Sequence, residues 1–565
     1  MKDFFTISDR KLMRAWQLVA LLLGMLELWY FRNYIRLDGI TYLDMSDALM
    51  QGDWKTGINA FWYPIYPLIL GVFQQLLGPS AYWQYFVVHV SNFFLYVLAL
   101  MAFQCFLKQL LKFYKNHVFD MVRPESSRIP DKIWISFGHL LFIWTSLYLT
   151  KISEVTPDLL IEVLILCVFV LLLKVSMGES SKKVFVAMGI LLGIGFLTKA
   201  FMLYLSVLVV CSLLILLWKR KENLWQVTIT VLFFVVLALP YVVKNSMDKG
   251  FVTYGENGRI NTIFHINEVT PLFHWRGGPE GNGHPVHPLN ALSEKPLVFE
   301  YASPISGTYP LWYDPSYYYE GATLQFAAKK HCALLLKNLR KYSSLFFDRQ
   351  PALLMGLLIL FLYSRRKKHS YIRFKNLWFL FAPCLFVLAG YFFVYIDWRY
   401  MGPFVLVFFL GLYSCICLEE SPASQRVFEA TFIVICLMMA KTIVFPSIEK
   451  GRAIITEYSQ GLQHEQWQIA EGVKKVGVKE GDHIAFIGDA SSAAFWARLA
   501  KLRITAEVPP TAVLDYQALN VREENKLLML IKNSGVKAVC TNRFVPSTSG
   551  WQKIEKTQHY IYLFP

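Results

Sequence analysis

Four aspartates fall within one short stretch of this sequence, Arg36–Pro67, which reads RLDGITYLDMSDALMQGDWKTGINAFWYPIYP. Asp38, Asp44, Asp47 and Asp53 are followed by a rigid aromatic segment with Trp62, Tyr63, Pro64, Tyr66 and Pro67. A carboxylate beside a hydroxyl can act as a general base, and carboxylates can also hold a divalent cation. Asp38 is the first candidate, although Asp-Gly is also a turn dipeptide. Asp44 and Asp47 are three residues apart, as on one face of a short helix, where solvated carboxylates are common. Tyr42 and Trp62 are the aromatics of this stretch best placed to face a substrate.

A second acidic site is expected at S-E-V-T-P-D, with Glu154 and Asp158 facing Asp38. Thr156 and Pro157 read as an N-cap and a first helical residue. That would place Asp158 in a first turn, where the helix dipole favours a carboxylate. Glu162 and Glu27 lie inside apolar runs, where an ionisable group needs a partner. Lys199 interrupts G-I-G-F-L-T-K-A, and Arg399 sits in D-W-R-Y-M-G-P. Such residues are often membrane-surface anchors, but they would equally suit a lipid-linked phosphate, whose leaving charge needs cations where water is scarce. The run Gly307–Gly321, with Tyr313 and Asp314, mixes aromatic rings and carboxylates as a sugar site does; packing at the membrane interface is the plainer alternative. H-P-V-H, containing His284 and His287, has a ligand-like spacing, but its prolines make it an extended loop. No metal site is expected there.

These candidates must be positioned by membrane helices. The 565-residue chain is 55% hydrophobic, 16% aromatic and 17% charged, and its apolar residues come in long unbroken runs. About 20 such residues span a bilayer as helix. The expected fold is therefore a polytopic α-helical membrane protein with about 11 spans and a small C-terminal α/β domain. The formal charge of +16, from 56 basic and 40 acidic residues, does not indicate nucleic acid. The basic residues gather in short loops between apolar runs, as cytoplasmic loops do. Seven of the nine cysteines fall in or beside apolar runs, so no disulfide framework is indicated.

Ala15–Phe31 reads as a retained first helix rather than a cleaved signal. Residues 1–445 form the expected transmembrane domain, with outer loops 36–81 and 244–348, and 446–565 an extracytoplasmic α/β domain. The 184–218 run is divided at Thr198–Lys199 into two helices joined by an outward hairpin. With the basic loops inside, every candidate acid and cation falls on the outer face. In the tail, Glu465–Val476 and Ser491–Leu499 read as helices. His483–Ile487, Leu502–Val508, Val536–Thr541 and Tyr560–Phe564 read as strands. Gly488-Asp489-Ala490 follows its strand as a phosphate-binding turn does, but lacks the G-x-G-x-x-G spacing.

D-G-I-T-Y-L-D-M-S-D-A-L-M-Q-G-D-W followed by W-Y-P-I-Y-P resembles the first outer loop of GT-C glycosyltransferases, in particular the bacterial protein O-mannosyltransferase and lipid A aminoarabinose transferase group. L-T-K-A and W-R-Y-M-G-P are similar to short patterns at later helix mouths of that group. The resemblance implies that Asp38 is the catalytic acid of the first loop and that Lys199 and Arg399 lie near the donor phosphate. Many relatives carry a second acid where this chain has Gly39.

Nucleotide sugars are cytoplasmic, so an outward-facing site implies a polyprenyl-phosphate-linked sugar as donor. The acceptor would be a glycan, lipid or protein of the cell envelope, and the location a bacterial inner membrane with the site facing the periplasm. No cofactor is required by this chemistry, though a divalent cation could be held. A lipid or oligosaccharide transporter, which should show repeat symmetry, and a non-catalytic envelope-assembly scaffold are the alternative classes.

Overall fold

The computed structural model describes residues 6–115, 130–267, 283, 289–301, 306–317, 319–364, 367–419, 421–461, 464–546 and 549–565. His284 and His287 of H-P-V-H lie outside them. The described chain is a polytopic helical bundle carrying a small α/β domain. Each of the expected spans coincides with a helix, because the length of an apolar run is a local property of the sequence. Seven of these helices are long and apolar enough to cross a membrane, or nine if each of two bent pairs forms one span. Lys182–Phe196 and Gly402–Cys415, with 15 and 14 residues, are only about 21–23 Å long, short of the roughly 30 Å of a hydrocarbon core, so among the described residues seven to nine spans stand against the expected 11 or so.

The 184–218 run is divided as its sequence indicates, into helices Lys182–Phe196 and Met202–Lys219 with Lys199 in the turn. The first of these packs closely on Trp225–Lys249. A Cβ at Gly189 would lie 2.4 Å from the Thr230 carbonyl oxygen, so glycine sets the approach. The first outer loop is itself helical, with Leu37–Met50, the short turn Trp54–Gly57 and the apolar Ile65–Leu77. Asp38 therefore stands in the first turn of a helix rather than in a free turn. Gly39 is required by approach: a Cβ there would lie 2.9 Å from the Val155 Cβ. Asp158 does begin a helix, Asp158–Ser176, but the N-cap position belongs to Pro157. The Thr156 hydroxyl instead donates to the Asp158 carboxylate at 2.7 Å.

Both intramembrane glutamates have partners. Glu27 pairs with Lys450 of the long Pro422–Gln460 helix, whereas Glu162 accepts from the Ser146 hydroxyl at 2.6 Å.

The α/β domain is one seven-stranded sheet in the order β1-β2-β4-β3-β5-β7-β6. The strands are β1 (Leu289–Glu294), β2 (Leu297–Tyr301), β3 (His483–Ile487), β4 (Arg503–Val508), β5 (Ala538–Thr541), β6 (Trp551–Lys553) and β7 (Tyr560–Leu563). The three central strands are parallel, and the flanking pairs are antiparallel. β1 and β2 form a hairpin of the long loop that precedes the later membrane helices. Side chains alternate across the sheet, as strand geometry requires. Ile484 and Phe486 face Ala490–Ala500 and a core continuous with that of the membrane helices. Ala485 and Ile487 face the opposite side, with Leu527 and Ile531.

Candidate active site

Four chain segments, each beside a helix end, meet at one end of the bundle. They carry Asp38, the 151–158 segment, Lys199 and Arg399. Asp158 is buried, and Asp38, Lys199 and Arg399 are half-buried. Lys199 forms an ion pair with Asp158, and its ammonium lies over the Tyr400 ring, 3.7 Å from the centroid. Burial lowers this ammonium below the ordinary lysine value of 10.5; Arg399 acts in the same direction and Asp158 opposes it.

Arg399 is surrounded by carboxylates: Nη1 is 3.5 Å from Asp38 Oδ2, and Nε is 3.8 Å from Asp158 Oδ2 and 3.2 Å from Asp397 Oδ2. Its other terminal nitrogen donates to the Tyr400 hydroxyl at 3.2 Å. Nε and Nη1 are buried and have no hydrogen-bond partner among the described residues. Both nitrogens therefore keep N–H donors that separate anion oxygens could take. Asp38 Oδ1 accepts from the Trp312 indole N–H at 3.0 Å.

Glu154 borders this cluster without joining it. It pairs with Arg36, and Lys151 is 3.6 Å away. Asn92 holds the segment by donating to the carbonyls of Ile152 at 2.9 Å and Glu154 at 3.2 Å. Four carboxylates (Asp38, Glu154, Asp158, Asp397) thus face four cations (Arg36, Lys151, Lys199, Arg399). Among the described residues no group of three or more His, Cys, Asp or Glu converges as a metal site.

Tyr42, one turn after Asp38, is buried edge-on to Trp62 and Tyr66, with centroids 5.2 and 5.1 Å apart. The Trp62 indole N–H donates to the Trp312 carbonyl at 3.2 Å, so these aromatics form a floor under Asp38. Tyr313 and Asp314 point elsewhere. The Tyr313 hydroxyl donates to the Thr56 carbonyl at 2.8 Å, and Asp314 accepts from the backbone and hydroxyl of Ser316. The aromatic run reaches the cluster through their neighbour Trp312, which the sequence alone does not single out. Asp397 and Tyr400 were similarly hidden, although both flank Arg399 in D-W-R-Y. Asp44 and Asp47 bind Arg498 of the α/β domain, each at 2.7 Å. Asp489 accepts from the Ser491 N–H at 3.1 Å, capping its own helix where a phosphate turn would leave that donor open.

The described chain, a polytopic helical bundle whose inter-helix segments gather acids and cations beside an α/β domain, has a GT-C-like fold by its likeness to a solved structure. That structure is the crystal structure of ArnT from Cupriavidus metallidurans bound to undecaprenyl phosphate. The TM-score is 0.51 at 12% identity, covering 97% of each chain. Neither a family model nor a curated protein sequence matches the chain.

Proposed function

We propose that the protein transfers a sugar from a polyprenyl-phosphate donor to an acceptor hydroxyl, on the extracytoplasmic side of a bacterial inner membrane and with inversion. The observation that carries this reading is the meeting of Asp38 with Arg399, Lys199 and Asp158, drawn from four separate parts of the chain. The undecaprenyl phosphate in the ArnT structure supports a lipid phosphate as the group that Arg399 and Lys199 hold.

In the proposed step, Asp38 takes the proton of the acceptor hydroxyl as its oxygen attacks the anomeric carbon. The bond from that carbon to the phosphate oxygen breaks, and its electron pair leaves with the lipid phosphate. Arg399 Nε and Nη1, together with the Lys199 ammonium, stabilise the departing charge. Asp158 orients Lys199, and Trp312 fixes Asp38 through Oδ1. Fixed charges in a site poor in water can provide much of a barrier reduction without a cofactor. Glu154, paired with two cations at the rim, holds the segment that carries Asp158. Tyr42 and Trp62 support the substrate from below, while Tyr313 and Asp314 shape the loop behind it.

Asp38→Asn is the direct test. With normal abundance and folding, the variant should form no glycan product; an undiminished product would reject the assignment.

A further inference from the structure

The mechanism above does not use a buried ion-pair group on the far half of the helix that carries Asp38. Arg498, on the Ala490–Ala500 helix of the α/β domain, reaches Asp44 and Asp47 with separate guanidinium nitrogens, each at 2.7 Å. The Arg498 and Asp44 side chains are only 6% and 7% exposed, so this is an internal contact. Asp44 also accepts from the Thr308 N–H at 2.6 Å and the Thr308 hydroxyl at 2.9 Å.

Thr308 begins the segment that ends on Trp312, and the sheet grips the same segment. The β4 N–H of Ile504 donates to the Thr308 carbonyl at 2.9 Å, and the Tyr309 hydroxyl lies 3.4 Å from β4 Glu507. At the other end, the Trp312 carbonyl accepts from Trp62 and from Thr41, and the Trp312 indole reaches Asp38. Asp44 lies about 9 Å along the helix from Asp38, at 1.5 Å per residue. One carboxylate therefore ties together the helix bearing Asp38, the segment bearing Trp312 and the α/β domain.

We infer that the α/β domain is part of the reaction machinery, with Arg498 a positioning residue that acts through Asp44 and Thr308 to hold Trp312 against Asp38. The inference rests on the glycosyl-transfer reading above. A displacement near 1 Å at a reacting group can slow a reaction about 100-fold. Arg498→Met, in the full-length chain, should therefore lower glycan product formation about 100-fold. Affinity for undecaprenyl phosphate, set at Arg399 and Lys199, should stay within about twofold, well below the cost of a lost charged hydrogen bond. Hydrogen exchange should rise in 37–47 and 306–316 and stay unchanged in 483–487. Arg498→Lys, which can satisfy one carboxylate but not both, should fall between wild type and Arg498→Met. Thr308→Val removes the hydroxyl's hydrogen bond to the Asp44 carboxylate and should lower product about tenfold; it decides the matter if Arg498→Met fails to accumulate.

Product within twofold of wild type in these variants, or reduced product without looser exchange in 306–316, overturns the inference. Asp38→Asn run in parallel separates the two claims. If it abolishes product while Arg498→Met does not, only the positioning role falls; if it leaves product unchanged, the transfer reading falls with it.

Discussion

Arg399→Met removes the guanidinium on which the acid cluster converges. Its three carboxylate contacts, at 3.2, 3.5 and 3.8 Å, are longer than the 2.7–2.9 Å typical of charge-assisted hydrogen bonds. The cation is thus held loosely, and an incoming phosphate oxygen can approach closer than any of the three. A hydrogen bond to a charged group contributes about 1.5–3 kcal/mol, so losing one should weaken undecaprenyl phosphate binding roughly 10- to 150-fold. Arg399→Lys keeps the charge but offers a point in place of a fork, and should lose about tenfold or less. Binding would be measured on purified protein in detergent, with thermal unfolding run alongside. Taking this cation from beside Asp38, Asp158 and Asp397 should also lower the melting temperature, and the lysine variant should recover most of that loss. A folded Arg399→Met protein with wild-type affinity would refute the proposed phosphate site.

Trp312→Phe removes the N–H bonded to Asp38 while keeping an aromatic ring, and should lower product formation about tenfold with lipid affinity unchanged; equal losses in both would place Trp312 in binding instead. Lys199 loses its proton as pH rises through a value below 10.5, so undecaprenyl phosphate affinity should fall on the alkaline side before an ordinary lysine titrates. Lys199→Arg should abolish that fall in a titration from neutral to alkaline pH. Lys450→Met leaves Glu27 unpaired in an apolar helix and should destabilise the protein by about 3–5 kcal/mol. Glu27→Leu added to it should restore most of the melting temperature. Reporter fusions after Lys221, Lys368 and Val444 test the orientation, with the first two expected in the cytoplasm and the third outside.

Asp38, Lys199 and Arg399 were legible because charged residues that interrupt or flank apolar runs stand out against their surroundings. The helices were legible for the same reason, and the break at Thr198–Lys199 separates two of them as the sequence indicates. What escaped were contacts between distant positions. Trp312 meets Asp38 across 274 residues, and Arg498 meets Asp44 across 454. Nothing in the local pattern of Tyr309–Asp314 tells which of several adjacent aromatics turns toward the acid. Gly39 reads as a turn residue until Val155 is seen against it. The strands 289–294 and 297–301 carry little alternation of their own, since part of what fixes them is β4, about 200 residues later.

That hairpin also bears on how the chain is made. β2 emerges long before β4 exists, so its outer edge must stay unpaired until the last membrane helices have been placed. An exposed strand edge invites pairing with another chain. Shortening the protein at its C-terminal end would leave that edge open for good, and excising the tail would bare the matching edge of β4. Each piece would then be prone to self-association, so the two regions are best produced together.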